Sequence, residues 1–154
     1  MALTSASTLP RSPVKVFVAA TGNEFMRDIA SWLVEAAALA GWPSELVTDE
    51  LPRTDGSINL VVAPHEFFEL SDHSDHDLKI AAAASVCVCT EQPGTPWFHL
   101  SVDACRRGLR SIDINPQGVV ALRQVGVSAE HLALGAVPSI ASSPRDRPID
   151  VVVL

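Results

Sequence analysis

The chain of 154 residues lacks tyrosine and lacks any long apolar run. No segment approaches the roughly 20 apolar residues that a membrane-spanning helix needs, which argues against a transmembrane protein. Residues 1–13 do not show the basic and then apolar order of a secretory signal. The sequence therefore predicts a cytoplasmic protein without a membrane span.

Positive charge and cysteine are also scarce. The 11 Lys and Arg are outnumbered by 18 Asp and Glu, for a formal net charge of −7, and they form no basic block. Nucleic acids and anionic membranes attract clustered basic residues, so neither is expected as a partner. The three cysteines, Cys87, Cys89 and Cys105, are too few for a disulfide framework and are expected to be reduced and buried.

Apolar strands and capped helices alternate along most of the chain. The pattern predicts six strands, over residues 14–20, 44–48, 58–63, 86–89, 110–114 and 131–137. Helical spacing and stop signals between them predict helices, among them 77–85 and 96–107. Because crossover connections are right-handed, this order predicts an α/β, Rossmann-like three-layer sandwich with a mostly parallel sheet of about six strands.

The predicted domain organisation has three parts. Residues 1–13 are expected to be a flexible segment, and residues 14–138 form the Rossmann-like domain. Residues 139–154 are predicted to be a linker and the first strand of a second domain that this chain does not contain, because an apolar strand there ends without a turn.

Several residues carry signals of helix starts and of core packing. Thr21 and Glu24 have the spacing of a capping box, and Thr95 precedes Pro96 as a cap precedes a first helical residue. Trp32 and Trp97 lie at helical spacing, which predicts that both pack in the core.

Polar residues follow four of the predicted strands. In a parallel sheet these strand ends meet at one edge, where open α/β sheets bind ligands. The segments expected to converge on one cleft are Thr21-Gly22-Asn23, His65-Glu66, Glu91-Gln92 and Asn115.

Each of these candidates has a functional and a structural interpretation. His65 can act as a general base with Glu66 as its orienting carboxylate, or it can cap a turn beside a solvated Glu66. Glu91 and Gln92 can bind sugar hydroxyls, with Glu91 as a possible base, or Glu91 can satisfy backbone N–H groups in its loop. Asn115 can bind substrate or simply cap a helix.

Other patterns argue against cofactors. Thr21, Gly22 and Asn23 offer a helix start suited to an anionic or hydroxylated ligand, but one glycine does not make the dinucleotide fingerprint. His73, Asp75 and His76 lie in a Ser-rich segment without the frame of a metal site. A response-regulator receiver is disfavoured because the first strand lacks the acidic pair that binds magnesium.

Five segments form a series along the chain: Ala63-Pro64-His65-Glu66-Phe67-Phe68, Cys89 to Phe98, Asp113-Ile114-Asn115, Leu122 to Gly126, and His131-Leu132-Ala133-Leu134-Gly135. Taken together, these segments resemble the amino-terminal half of a bacterial GT-B glycosyltransferase. The resemblance covers most of the chain from Val14 onward.

The resemblance implies an acceptor-binding domain. A second Rossmann-like domain, or a partner chain, would hold most of the nucleotide-sugar donor, and no metal would be required. His65 is the first candidate for the base that deprotonates the acceptor hydroxyl, and Glu91 is the second. The alternative is a non-catalytic α/β binding or oligomerisation module that forms a homodimer through its last strand.

Overall fold

The computed structural model describes residues 11–48, 50–135 and 138. In chain order its elements are β1 Val14–Phe17, α1 Glu24–Leu39, β2 Ser44–Val47, β3 Ile58–Val62, α2 Pro64–Glu69, α3 Asp75–Ala83, β4 Val86–Cys89, α4 Pro96–Arg107, β5 Arg110–Asp113, α5 Pro116–Gln124 and β6 Ala129–His131. The six strands form one sheet in the order β2-β1-β3-β4-β5-β6, and every neighbouring pair is parallel.

The sheet is covered on both faces, which confirms the predicted α/β three-layer sandwich. On one face α1 buries Met26, Ile29 and Ala30 against alternate residues of β1, β3 and β4. On the other face α2, α4 and α5 cover the sheet, with Phe67, Phe98 and Leu122 respectively in the core. Strands buried on both faces explain the nearly continuous apolar runs in the sequence.

The predicted capping box at the start of α1 is wrong. Asn23, and not Thr21, is the cap, and its side-chain oxygen accepts a hydrogen bond from the Phe25 N–H at 2.9 Å. The reason is local: the helix begins at Glu24, so the residue immediately before it reaches the unpaired N–H groups of the first turn. The predicted helix start at Thr95 is confirmed, since Thr95 caps α4, and Asn115 caps α5, which was the structural alternative for that residue.

Other boundaries also differ from the sequence prediction. The helix α2 was not predicted, because its 6 residues are too few for a periodic signal. The sixth strand is Ala129–His131 and overlaps the predicted segment only at His131. The helix α3 begins at Asp75, two residues earlier than predicted, where the Ser74 side chain accepts from the Asp77 N–H.

Trp97 is exposed, contrary to the prediction that it packs in the core. It lies in the first turn of α4 and is 56% exposed, whereas Phe98, Val102 and Cys105 form the buried face of that helix. Trp32 does pack against the core, as predicted. At the start of α4 it is therefore Phe98, and not Trp97, that faces the core.

The cysteines are buried and free within the described residues. The Sγ atoms of Cys89 and Cys105 are 3.2 Å apart. Hydrogen bonding to Cys105 and burial both raise the pKa of the Cys89 thiol. Cys89 therefore remains a protonated core residue at neutral pH.

Two predictions fall mainly or wholly outside the described residues. The expected flexible segment 1–13 is described only from Arg11, and the expected linker and strand over 139–154 are not described. In the described part of the chain, no helix combines the length and apolarity that crossing a bilayer requires.

Candidate functional site

A cleft of about 310 Å³ lies at the carboxyl edge of the sheet. The strand order reverses between β1 and β3, and ligands of open α/β sheets bind at such a point. Asn23 follows β1, His65 and Glu66 follow β3, and Glu91 follows β4, and all four line the cleft. The structure thus brings residues from three separate strand ends to one place.

The sharp junction between β3 and α2 positions two of these residues. Ala63 has φ of 49°, in the left-handed region that non-glycine residues rarely adopt, and Pro64 then begins the helix. The turn directs His65 toward α4 and Glu66 toward α1. Backbone strain of this kind concentrates at functional sites.

His65 is buried between two polar partners. Its Nδ1 atom lies 3.1 Å from the hydroxyl of Ser101, a fully buried residue of α4. Its Nε2 atom lies 3.4 Å from Oε1 of Glu91. The ring of Trp97 packs near it, with centroids 6.1 Å apart. The imidazole is therefore engaged at both nitrogens.

These contacts favour one tautomer of neutral His65. A carboxylate beside Nε2 favours a proton on that atom, and the Ser101 hydroxyl then donates to Nδ1. Burial lowers the pKa of His65, although the nearby Glu91 and Glu66 oppose the shift. The neutral ring thus orients the Glu91 carboxylate, whose side chain is 20% exposed.

Glu66 closes the other side of the cleft against the start of α1. Its Oε1 atom accepts a hydrogen bond from the Asn23 N–H at 2.7 Å. Its Oε2 atom is buried, has no hydrogen-bond partner among the described residues, and lies over Gly22. A Cβ at position 22 would come within 2.7 Å of the carboxyl carbon and Oε2, so the Glu66 carboxylate would have to shift to admit any residue larger than glycine.

Replacing Gly22 tests this contact. We expect Gly22→Ala to lower the free energy of unfolding by about 1–3 kcal/mol, since the methyl group must displace the Glu66 carboxylate. In a Glu66→Ala background the same change should cost much less, because the obstructing group is gone. Urea unfolding of the four proteins gives the comparison, and additive effects would contradict the proposed contact.

The remaining sequence candidates do not line this cleft. Thr21 lines a neighbouring depression with Thr48 and His73. The Gln92 side chain is exposed, and its backbone carbonyl accepts a hydrogen bond from the Thr95 hydroxyl. The Asn115 side chain accepts from the Gln117 N–H at 2.9 Å, which makes it a helix cap.

Three residues with a place at or near the site were not among the candidates predicted from sequence. Ser101 holds His65, and Trp97 forms a cleft wall. Asp113, at the end of β5, is fully buried, with Oδ1 accepting from the Asn115 N–H and Oδ2 unpartnered among the described residues. The sequence signal for it is an acid between Ile112 and Ile114 in an apolar context at the end of a predicted strand.

Neither metal-binding groups nor similarity to known proteins gives further information about the function of the cleft. Within residues 11–48, 50–135 and 138, no group of three or more His, Cys, Asp or Glu side chains is arranged to hold a metal ion. No protein-family model, curated protein or solved structure matches the chain significantly.

Proposed function

We propose that this chain is the acceptor-binding half of a cytoplasmic glycosyltransferase. The observation that carries the proposal is the contact between His65 and Glu91 in a cleft at the reversal point of the sheet. This arrangement supplies a carboxylate with a fixed orientation at the edge where α/β folds bind small molecules. The motif resemblance to GT-B enzymes supports the same reaction class.

In the proposed reaction Glu91 is the base. It takes the proton of the acceptor hydroxyl while the acceptor oxygen bonds to the anomeric carbon of the sugar, and the bond from that carbon to the nucleoside diphosphate breaks. His65 has no lone pair free for this step when Ser101 donates to Nδ1. The geometry therefore supports Glu91 as the base and His65 as its positioning residue, the reverse of the order inferred from sequence.

The nucleotide sugar is proposed to bind mainly to a second domain or chain facing this cleft. Within the described residues, Glu66, Glu69 and Glu91 line the cleft without a Lys or Arg. Such a lining suits a neutral acceptor and does not suit a diphosphate, because no basic side chain in the described part of the chain lines it and the Asn23 N–H at the start of α1 already donates to the Glu66 carboxylate.

Reconstitution tests the proposal. Residues 1–154 alone should release no nucleoside diphosphate from UDP-, TDP- or GDP-glucose. When joined to or mixed with the donor-binding domain, they should release it only when an acceptor is present. A panel of phenols, alcohols and glycosides serves as acceptors, with product detected by mass spectrometry. The interaction module would be favoured instead if the two parts associate whether or not an acceptor is present, no sugar is transferred, and light scattering shows a discrete dimer.

A further inference from the structure

The walls of this cleft are more apolar than those of four other depressions among the described residues. Trp97 and Leu70, which are 56% and 50% exposed, both line it, and Met26 adds apolar surface from α1. A larger cleft beside β2 is lined by charged residues that include Lys15 and Asp55. Small-molecule sites are concave and mostly apolar, with a few converging polar groups, and this cleft has that composition.

The charges in the cleft exclude one class of ligand. Its ionisable side chains are Glu66, Glu69 and Glu91 together with His65, which burial keeps toward the neutral form. A phosphate or carboxylate on a ligand would meet negatively charged side chains, and the Asn23 N–H at the start of α1 is already bonded to Glu66, so the ligand group would lose hydration without gaining a partner. The ligand is therefore expected to carry no negative charge.

The proposed carboxylate base further restricts the class of ligand that the cleft can bind productively. A carboxylate is a weak base, and proton transfer is more efficient when the two pKa values lie closer together. A phenol, with a pKa of about 10, is a better match for a carboxylate than an aliphatic alcohol, which is far less acidic. An aromatic ring can also stack on the exposed indole of Trp97.

We propose that the cleft binds a planar, uncharged aromatic acceptor whose phenolic hydroxyl faces Glu91 and whose ring lies against Trp97 and Leu70. The substrate class rests on the proposed transferase function, whereas the binding itself does not. A volume of about 310 Å³ has room for one or two fused rings and not for an extended oligosaccharide.

Binding to the chain alone tests the inference by NMR. The indole N–H signal of Trp97, assigned with Trp97→Phe, is followed during titration with 2-naphthol, 2-naphthoate and methyl β-D-glucopyranoside. We expect 2-naphthol to saturate the shift with a Kd at least about tenfold below those of the other two probes. Equal binding of 2-naphthoate, or tighter binding of the glucoside, would overturn the inference.

Three variants distinguish the effect of the apolar cleft wall on ligand binding from the effect of the negative charge in the cleft. Leu70→Ser should raise the Kd for 2-naphthol by about fivefold or more, whereas Leu39→Ser, an exposed leucine outside the cleft, should not. Glu69→Gln should tighten 2-naphthoate binding and leave 2-naphthol unchanged. Equal effects of both leucine changes would refute the assigned wall, as would Trp97 shifts that depend on protein concentration without any probe.

The binding test and the proposed function can fail separately. No sugar nucleotide is present in the titration, so 2-naphthol binding can stand even if no transfer is ever found. Conversely, efficient transfer to an aliphatic alcohol with no binding of 2-naphthol would refute the aromatic acceptor and leave the transferase intact.

Discussion

Glu91→Gln is expected to lower kcat of the reconstituted transferase by about 10²- to 10⁴-fold, the usual contribution of a general base. Glutamine keeps an oxygen that can accept from Nε2 of His65, which lies 3.4 Å from Glu91 in the native protein. The substitution therefore removes the basic group and preserves the packing. The KM for the acceptor should change little, because the lost interaction acts in the transition state.

The controls distinguish the base from a general charge effect. Glu130→Gln removes an exposed carboxylate on β6, which pairs with Arg110 outside the cleft, and should leave kcat unchanged. His65→Asn should give a smaller loss than Glu91→Gln if His65 only positions the carboxylate. If His65→Asn lowers kcat more than Glu91→Gln does, and Glu91→Gln retains activity, then His65 is the base.

The second large effect is on stability and comes from Asp113. Burial raises the pKa of this carboxyl from 3.8 to about 6. The folded state then binds a proton more tightly than the unfolded state, so the free energy of unfolding falls as pH rises from about 4 to 6. A shift of this size corresponds to roughly 2–3 kcal/mol of stability that is present at low pH and lost at neutral pH.

Asp113→Asn is expected to abolish that decline. Asparagine keeps the oxygen that accepts from the Asn115 N–H at 2.7 Å and removes the buried charge. The measurement is urea unfolding from pH 4 to 7, plotted as wild type minus variant. A flat difference curve would contradict the assigned ionisation.

Asp55→Asn provides a matched control of opposite sign. Hydrogen bonds from Lys15 and Ser57 hold the pKa of Asp55 well below its usual range. Asp55 therefore contributes stability above its usual pKa, and that contribution is lost as pH falls. Between about pH 4 and 7 its difference curve should be nearly flat, and when the measurement is extended below about pH 4 the curve should fall as pH falls, opposite in direction to that of Asp113→Asn.

Much of the fold was predictable because it depends on neighbours in sequence. The apolar run of Val86–Cys89 and the cap-and-proline pairs at Thr95 and Asn115 act within a few residues. The helix Pro64–Glu69 was not predictable, since it depends on a left-handed Ala63 that no local rule requires. Trp97 was misplaced because spacing shows that a helix has an apolar face and does not show which residue faces the sheet.

The candidate site was likewise predictable from sequence only in part. The position of His65, Glu66 and Glu91 at one sheet edge follows from strand ends in a parallel sheet, and the structure brings them together with Asn23. Gln92 directly follows Glu91 in sequence, yet it is exposed and does not line the cleft, and only the structure shows which of the two faces it.

The sequence by itself determined the class of fold and the edge of the sheet at which polar residues collect. Hydrophobic periodicity, helix caps and glycines determine local structure over a few residues, so their effects can be predicted from sequence alone. Only the tertiary structure decided which side chains are in contact. Ser101 contacts His65 although 36 residues separate them in sequence, and Asp113 is buried beneath α5. Those contacts depend on the packing of helices against the sheet, which brings together residues that are distant in the sequence.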